Sequence, residues 1–176
     1  MNALLTRLFQ YKAWANDELL TTLASLGPGN PVASLAIKAL AHTHVVDRIF
    51  AAHLHRRPHG YVAANPDQLP TLEGLSADIR ASDQEYVAYV ATLDATQLAD
   101  RIAFTFTDGA PGCMSREEML AHLITHGAGH RGQVSALLLL NGLPPARDGF
   151  TTWLHYAEAI ERGRTGREPT IAEVAT

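Results

Sequence analysis

Three histidines stand four residues apart in His122-Leu-Ile-Thr-His126-Gly-Ala-Gly-His130-Arg131-Gly132-Gln133, inside a stretch with helical periodicity. Four residues exceed one α-helical turn by about 40°, so successive rings stay near one side with Cβ atoms about 6 Å apart. Two imidazoles so placed can chelate one metal ion, and that ion requires a third ligand from elsewhere in the chain. Structural zinc is usually closed by four protein ligands, whereas three plus a water leave an open position suited to Lewis-acid or metal-hydroxide chemistry. Gly127, Gly129 and Gly132 surround the histidine pair. Each is about 1 kcal/mol poorer than alanine in a helix, and their lack of side chains permits close helix approach or ligand access.

An earlier segment offers the third ligand. Plotted at 100° per residue, the second helix gathers Leu35, Ala39, His42, Val46, Ile49, Phe50 and His53 on one stripe, with His44, Arg48 and His55 opposite. The same exercise on the histidine-rich helix gathers Met119, Leu123, His126, His130, Val134 and Leu137 at the centre of its buried face, with His122 and Gln133 toward one edge and Arg131 facing away. Facing helices lie about 8–10 Å apart, a gap that imidazoles from both sides bridge through an ion about 2.0–2.1 Å from each nitrogen. His42, His126 and His130 are therefore the candidate metal ligands.

The elements that must position these residues follow from periodicity and punctuation. A first helix spans residues 2 to about 26, with Leu4, Leu8, Tyr11, Ala15 and Leu19 at three- and four-residue spacing, and stops at Gly27-Pro28-Gly29. The second runs from about Ala33 to about Arg57. Thr71 caps a third, whose inward positions are Leu72, Leu75, Ile79, Tyr86, Val90 and Leu93. Residues 101–107 alternate as a strand, and Asp108-Gly109 supplies a hairpin turn. Ser115 and Glu118 form a capping box opening the fourth helix, which runs to Asn141-Gly142, and a last helix carries Phe150, Trp153, Leu154, Ala157 and Ile160 to Gly163. Long helices with short connections predict an all-α antiparallel four-helix bundle, with a short β-hairpin before helix four and an extra C-terminal helix. Residues 1–163 read as one domain and 164–176 as a mobile tail.

These residues resemble the DinB/YfiT-like family of metal-binding four-helix-bundle proteins. Its fourth-helix motif, His-x-x-x-His-Arg-Gly-Gln, is matched by His126-Gly-Ala-Gly-His130-Arg131-Gly132-Gln133, and its second-helix signature by His42-Thr-His-Val-Val-Asp47-Arg-Ile-Phe50. Tyr11-Lys12-Ala-Trp14-Ala-Asn16 resembles the family's first helix, so the likeness spans most of residues 1–160. The resemblance implies His42, His126 and His130 as ligands of a nickel or zinc ion, an up-down-down-up bundle, and a homodimer. It also implies a thiol-dependent transferase or isomerase as one activity found among members. The family name refers to DNA-damage-inducible expression and implies no DNA binding.

Composition narrows the function classes. With 14 basic and 18 acidic side chains, a net charge of -4 and a pI near 6.1, the 176-residue chain has no electrostatic footprint for nucleic acid. Its one cysteine, Cys113, excludes an intramolecular disulfide and is compatible with a reducing cytoplasm. No apolar run approaches the roughly 20 residues of a membrane span, and the N-terminus lacks a signal-peptide cleavage pattern. A soluble, cytoplasmic protein is expected. Single histidines on apolar stripes are usually hydrogen-bonded core residues; three on facing stripes favour a metal.

The remaining candidates read more simply. His122 could chelate together with His126, but its edge position suits a cavity wall or a supporting contact. His44, His53, His55 and His59 read as surface or loop residues. Asp47 lies about 140° from His42 around the helix and reads as a partner in a helix-surface salt bridge. Cys113 reads as a bystander, Arg131 as a structural or dimer-contact residue, Gln133 as a hydrogen-bonding partner of a ligand or neighbouring helix, and Trp14 and Trp153 as core aromatics. Two functions remain open: a metal-dependent enzyme, a thiol S-transferase or hydrolase acting on a small thiol or electrophile, and a noncatalytic metal-binding stress-response protein. No carboxylate base stands on either ligand-bearing stripe, which suits thiolate activation at least as well as hydrolysis.

Overall fold

Short polar side chains set where the helices start. The computed structural model describes residues 3–27, 29–159 and 162–163. After α1 (Ala3–Ser25), the Asn30 side chain accepts a hydrogen bond from the Val32 amide and Pro31 occupies the first turn of α2 (Pro31–Leu54). Thr71 accepts from the Gly74 amide to open α3 (Leu72–Ala91), as its sequence position predicts. A short α4 (Ala95–Ala99) follows behind a capping box of Asp94 and Gln97, an element the sequence reading did not separate. The expected hairpin consists of β1 (Arg101–Thr105) and β2 (Pro111–Ser115), antiparallel with Phe104 opposite Gly112. Its turn places Gly109 at φ 88°, a conformation glycine adopts without steric penalty. Ser115 and Glu118 then open α5 (Arg116–Leu140), the expected fourth helix. The last helix, α6 (Phe150–Ala157), ends before the predicted Gly163. Ile160 and the predicted tail at 164–176 lie outside the described residues.

Apolar side chains form two main clusters, one at each end of the bundle. The first joins Phe9, Phe50, Tyr86, Val90, Leu120 and Leu123 with Ile102 of β1; the second joins Leu19, Leu20, Ala36, Leu40, Leu75, Val134 and Leu138. Residue numbers rise from the first cluster to the second along α1 and α5 and fall along α2 and α3. The bundle is therefore up-down-down-up, with α1 packed chiefly on α3 and α2 on α5. Tyr11, Ala15 and Trp153 form a smaller cluster that seats α6, with Trp14 packed against it. Among the described residues, no helix is long and apolar enough to cross a membrane.

Between the two main clusters every long helix contributes polar groups to one belt. Lys12 of α1, 1% exposed, donates to Asp47 Oδ2 of α2 and Asp83 Oδ1 of α3, both at 2.7 Å. Asn16 Nδ2 donates to Asp83 Oδ2 at 2.8 Å, and its Oδ1 accepts from Arg131 Nη1 of α5 at 3.3 Å. Burial alone would lower the Lys12 pKa; the two aspartates outweigh it and hold it above its ordinary value. Burial pushes the Asp47 carboxyl upward, opposed by Lys12. Asp47 thus lies in the interior, where the sequence reading expects a surface salt bridge.

The belt also explains where the apolar stripes depart from expectation. On α1 the inward row is Leu5, Phe9, Lys12, Asn16, Leu19 and Leu23, and Leu4 faces outward. On α2, Leu35 is 58% exposed, while Ala36 and Leu40 point inward. On α5 the buried row runs through Leu120, Leu123, Gly127, Arg131, Val134 and Leu138. Helical periodicity turns Asp47 and Arg131 to the surface; pairing them with Lys12, Asn16 and Asp148 inside turns α2 and α5 away from the plotted orientation.

Removing one partner of a buried ion pair leaves the others charged and unpaired, which costs roughly 3–5 kcal/mol. Lys12→Met is expected to lower unfolding free energy by about that amount in urea titrations. A loss below about 1 kcal/mol would mean that the belt contributes little to holding the helices together.

Candidate metal centre

The three predicted histidines meet between α2 and α5. His126 Nε2 lies 3.3 Å from His42 Nε2 and 3.2 Å from His130 Nε2. One ring nitrogen from each of the three lies within 4.8 Å of the others. His42 Nδ1 is 2.9 Å from the Ala64 carbonyl in the loop between α2 and α3. A carbonyl only accepts, so this contact places the His42 proton on Nδ1 and presents the Nε2 lone pair to the other rings.

That arrangement leaves more acceptors than protons. A proton on His126 Nε2 can satisfy one neighbour and a proton on His130 Nε2 only His126, so in every neutral arrangement at least one of the two close nitrogen pairs is left without a hydrogen bond. A cation resolves the conflict: donors about 2.0–2.1 Å from a tetrahedral ion stand roughly 3.3–3.4 Å apart, close to the separations found. The donor set fits a divalent ion of the imidazole-binding kind. Nδ1 of His126 and of His130 is buried without a hydrogen-bond partner. His42 is oriented through its second nitrogen by the Ala64 carbonyl, and Gln133 hydrogen-bonds the His130 side chain.

The environment favours the neutral form of His126 and His130, the form that binds metal. Burial lowers the His126 pKa to about 4, with further contributions from His130, His122 and His42. Burial, followed by the nearness of His42, also lowers His130. All three rings are half-buried. Gly127 and Arg131 occupy the centre of the α5 buried face, so the expectation that His126 and His130 sit there is corrected by one step around the helix. The histidines line its edge, where an ion retains access to small molecules.

A cavity of about 330 Å³ adjoins the site and is walled by His42, Phe50 and His126 from the helices and by Phe104, Phe106 and Met114 from the hairpin. His122 forms part of the same wall, stacked between Phe50 at 4.9 Å and His126 at 5.2 Å between ring centroids. It lies outside the three-nitrogen cluster, in keeping with the cavity-wall reading. His53 also faces the cavity and is buried, not on the surface, while His44 and His59 are half-buried and His55 is exposed. Cys113 is exposed on β2. Sequence reasoning missed Ala64, whose contribution is a backbone oxygen, and the aromatic wall, although alternating Ile102, Phe104 and Phe106 carried a signal for it.

The residue after His130 fastens α5. Arg131, 2% exposed, donates from Nε to Asp148 Oδ2 at 2.8 Å and from Nη2 to Asp148 Oδ1 at 3.2 Å. The Tyr11 hydroxyl donates to the same carboxylate, and the guanidinium lies 5.5 Å from the Tyr11 ring centroid. Arg131 is therefore an interior anchor and not a surface available for dimer contact. Burial, then the Asp148 carboxylate, raises the Tyr11 pKa to about 12.

The family model described as the DinB family matches residues 1–164. No curated protein and no solved structure matches the chain.

Metal titration of tag-free protein by calorimetry, checked by elemental analysis, is expected to give one divalent ion per chain. His126→Ala is expected to remove that binding, and unchanged stoichiometry in the variant would place the ion elsewhere. A second expected outcome concerns alkali. A folded pKa near 12 against an ordinary 10 means that the unfolded chain loses the Tyr11 proton first, so its contribution to stability is complete below about pH 10 and is lost as pH rises toward 12. The urea-midpoint difference between wild type and Tyr11→Phe should shrink across that window; a constant difference would contradict the raised value.

Proposed function

The chain belongs to the DinB family, matched over residues 1–164, and from that premise we propose that it is a metal-dependent enzyme acting on small molecules, most simply a thiol-dependent S-transferase. His42, His126 and His130 hold the ion, nickel or zinc. The observation that carries this reading is the convergence of three ring nitrogens at one side of an apolar cavity. A divalent ion with three imidazole ligands keeps a coordination position free and lowers the pKa of a thiol or water bound there.

The chain's own residues favour thiol chemistry over hydrolysis. None of the cavity-lining side chains is a carboxylate, so a water would lack the usual base within reach. A thiol held as thiolate needs no such base. The Ala64 carbonyl fixes the His42 tautomer, and burial of His126 and His130 limits competition from protons. The cavity receives the second reactant away from bulk water. A cytoplasmic homodimer belongs to the same proposal; Leu139 and Leu140, exposed at the end of α5, offer apolar surface to a second copy.

A second reading rests on the position of the cluster. Ligands from α2 and α5 make the ion a staple between two helices, and a noncatalytic metal-binding stress protein needs no more than that.

Metal-loaded protein assayed against a panel of low-molecular-weight thiols and electrophiles is expected to turn over at least one pair. His130→Ala should lose more than the about 10–100-fold that removing an outer hydrogen-bond partner of a metal ligand costs. Equal turnover in both proteins would discard the metal mechanism. Metal binding without turnover in wild type would leave the staple reading in its place.

A further inference from the structure

The cavity beside the three histidines carries chemical information that the ligand cluster does not. Seven of its twelve lining side chains are rings, and none is Asp, Glu, Lys or Arg. Thr107 supplies the one side-chain hydroxyl. Phe104 packs 4.7 Å from His53 and 4.9 Å from Phe106, and Phe50 stacks on His122. Burial lowers the pKa of His53, so this ring adds no cationic anchor at neutral pH.

The hairpin is built to present this wall. Phe104 pairs directly across the strands with Gly112, the arrangement in which an aromatic ring covers a glycine on the neighbouring strand. A Cβ added at Gly112 would lie 2.6 Å from Phe104 Cζ and 2.9 Å from Phe106 Cε2. Only glycine leaves both rings where they are. Phe106 is 45% exposed, so one ring forms the rim of the cavity and the other its inner surface.

We propose that this cavity binds a neutral, planar aromatic compound of one or two rings, with Phe104 and Phe106 of the hairpin as the specificity-determining wall. The inference rests on the transferase reading of the adjoining site and names the class of its second reactant. About 330 Å³ lies at the lower end of ligand-pocket volumes, roughly 300–1,000 Å³, which admits a small ring system. Aromatic walls accept another ring in offset or edge-on geometry. In the metal-free cavity a charged ligand would surrender its hydration with no opposite charge among the described lining residues to compensate.

The test uses three probes on the full chain, as purified and after chelation: 1-naphthalenemethanol, 1-naphthoate and 1-naphthylmethylammonium, measured by calorimetry. The alcohol should bind one per chain, at least about tenfold more tightly than either ion to the chelated protein. Phe106→Ala, at a half-exposed position, should keep the fold by circular dichroism and weaken the alcohol about two- to tenfold, the range of one aromatic pair. Gly112→Ala should weaken it as well by displacing both rings. Equal or tighter binding of either ion by chelated protein, or unchanged affinity in Phe106→Ala, would overturn the proposal. Binding as stated with no thiol turnover leaves it standing and removes the transferase reading; turnover confined to charged electrophiles does the reverse.

Discussion

Lys12 held between Asp47 and Asp83 is the interaction on which the remainder of the structure turns. A buried ammonium requires its carboxylates at hydrogen-bond distance, and these come from α2 and α3, so one side chain of α1 ties three helices together. Asn16 and Arg131 extend the requirement to α5. Helix geometry carries the constraint onward. His42 lies five residues from Asp47, about 140° around α2, and His130 lies one residue, about 100°, from Arg131. With Asp47 and Arg131 committed to the belt, His42 and His130 must emerge on its far side, where α2 and α5 face each other. The ring cluster is a geometrical consequence of the charge cluster.

This connection gives a physical role to motif residues that bind nothing themselves. Tyr11, Lys12, Asn16, Asp47 and Arg131 accompany the histidines in the sequence patterns, and each belongs to the belt or to its Asp148 extension. Hydrophobic packing alone would tolerate small rotations of a helix, because apolar contacts lack direction. Ion pairs and hydrogen bonds do not. A site whose ring nitrogens sit 3.2–3.3 Å apart needs that angular definition more than it needs added stability.

The parts legible in sequence were those written in local rules. Thr71 and Ser115 announced their helices through capping chemistry, Asp108-Gly109 announced the hairpin turn, and the spacing of His126 and His130 announced two rings able to share one ion. The choice of His42 over His44 followed from helical periodicity, because the two lie about 160° apart. What periodicity misjudged was the centre of the buried faces of α2 and α5: the plots placed Asp47 and Arg131 outside, and no single-helix plot contains the partners that bring them in. Ala64 was illegible for a different reason, since its contribution is a carbonyl that any residue would carry and only the loop path decides its position. Asp94 and Gln97 did hold the signature of α4, but five residues provide too little periodicity to stand out from the end of α3.

The hairpin illustrates why a bundle that already buries its core retains a small sheet. Packed helices project side chains at fixed intervals along parallel axes, which suits a ligand cluster but leaves the adjoining groove open on its outer side. β1 and β2 cross that opening and bring Phe104, Phe106 and Met114 to it. Ile102 anchors the sheet in the first apolar cluster, while the glycine opposite Phe104 lets two rings lie across the strands. The helices therefore determine where the nitrogens converge, and the hairpin determines what can approach them. A change in Phe106 or Gly112 alters the second without touching the first, so the histidine cluster and the aromatic wall beside it can vary independently.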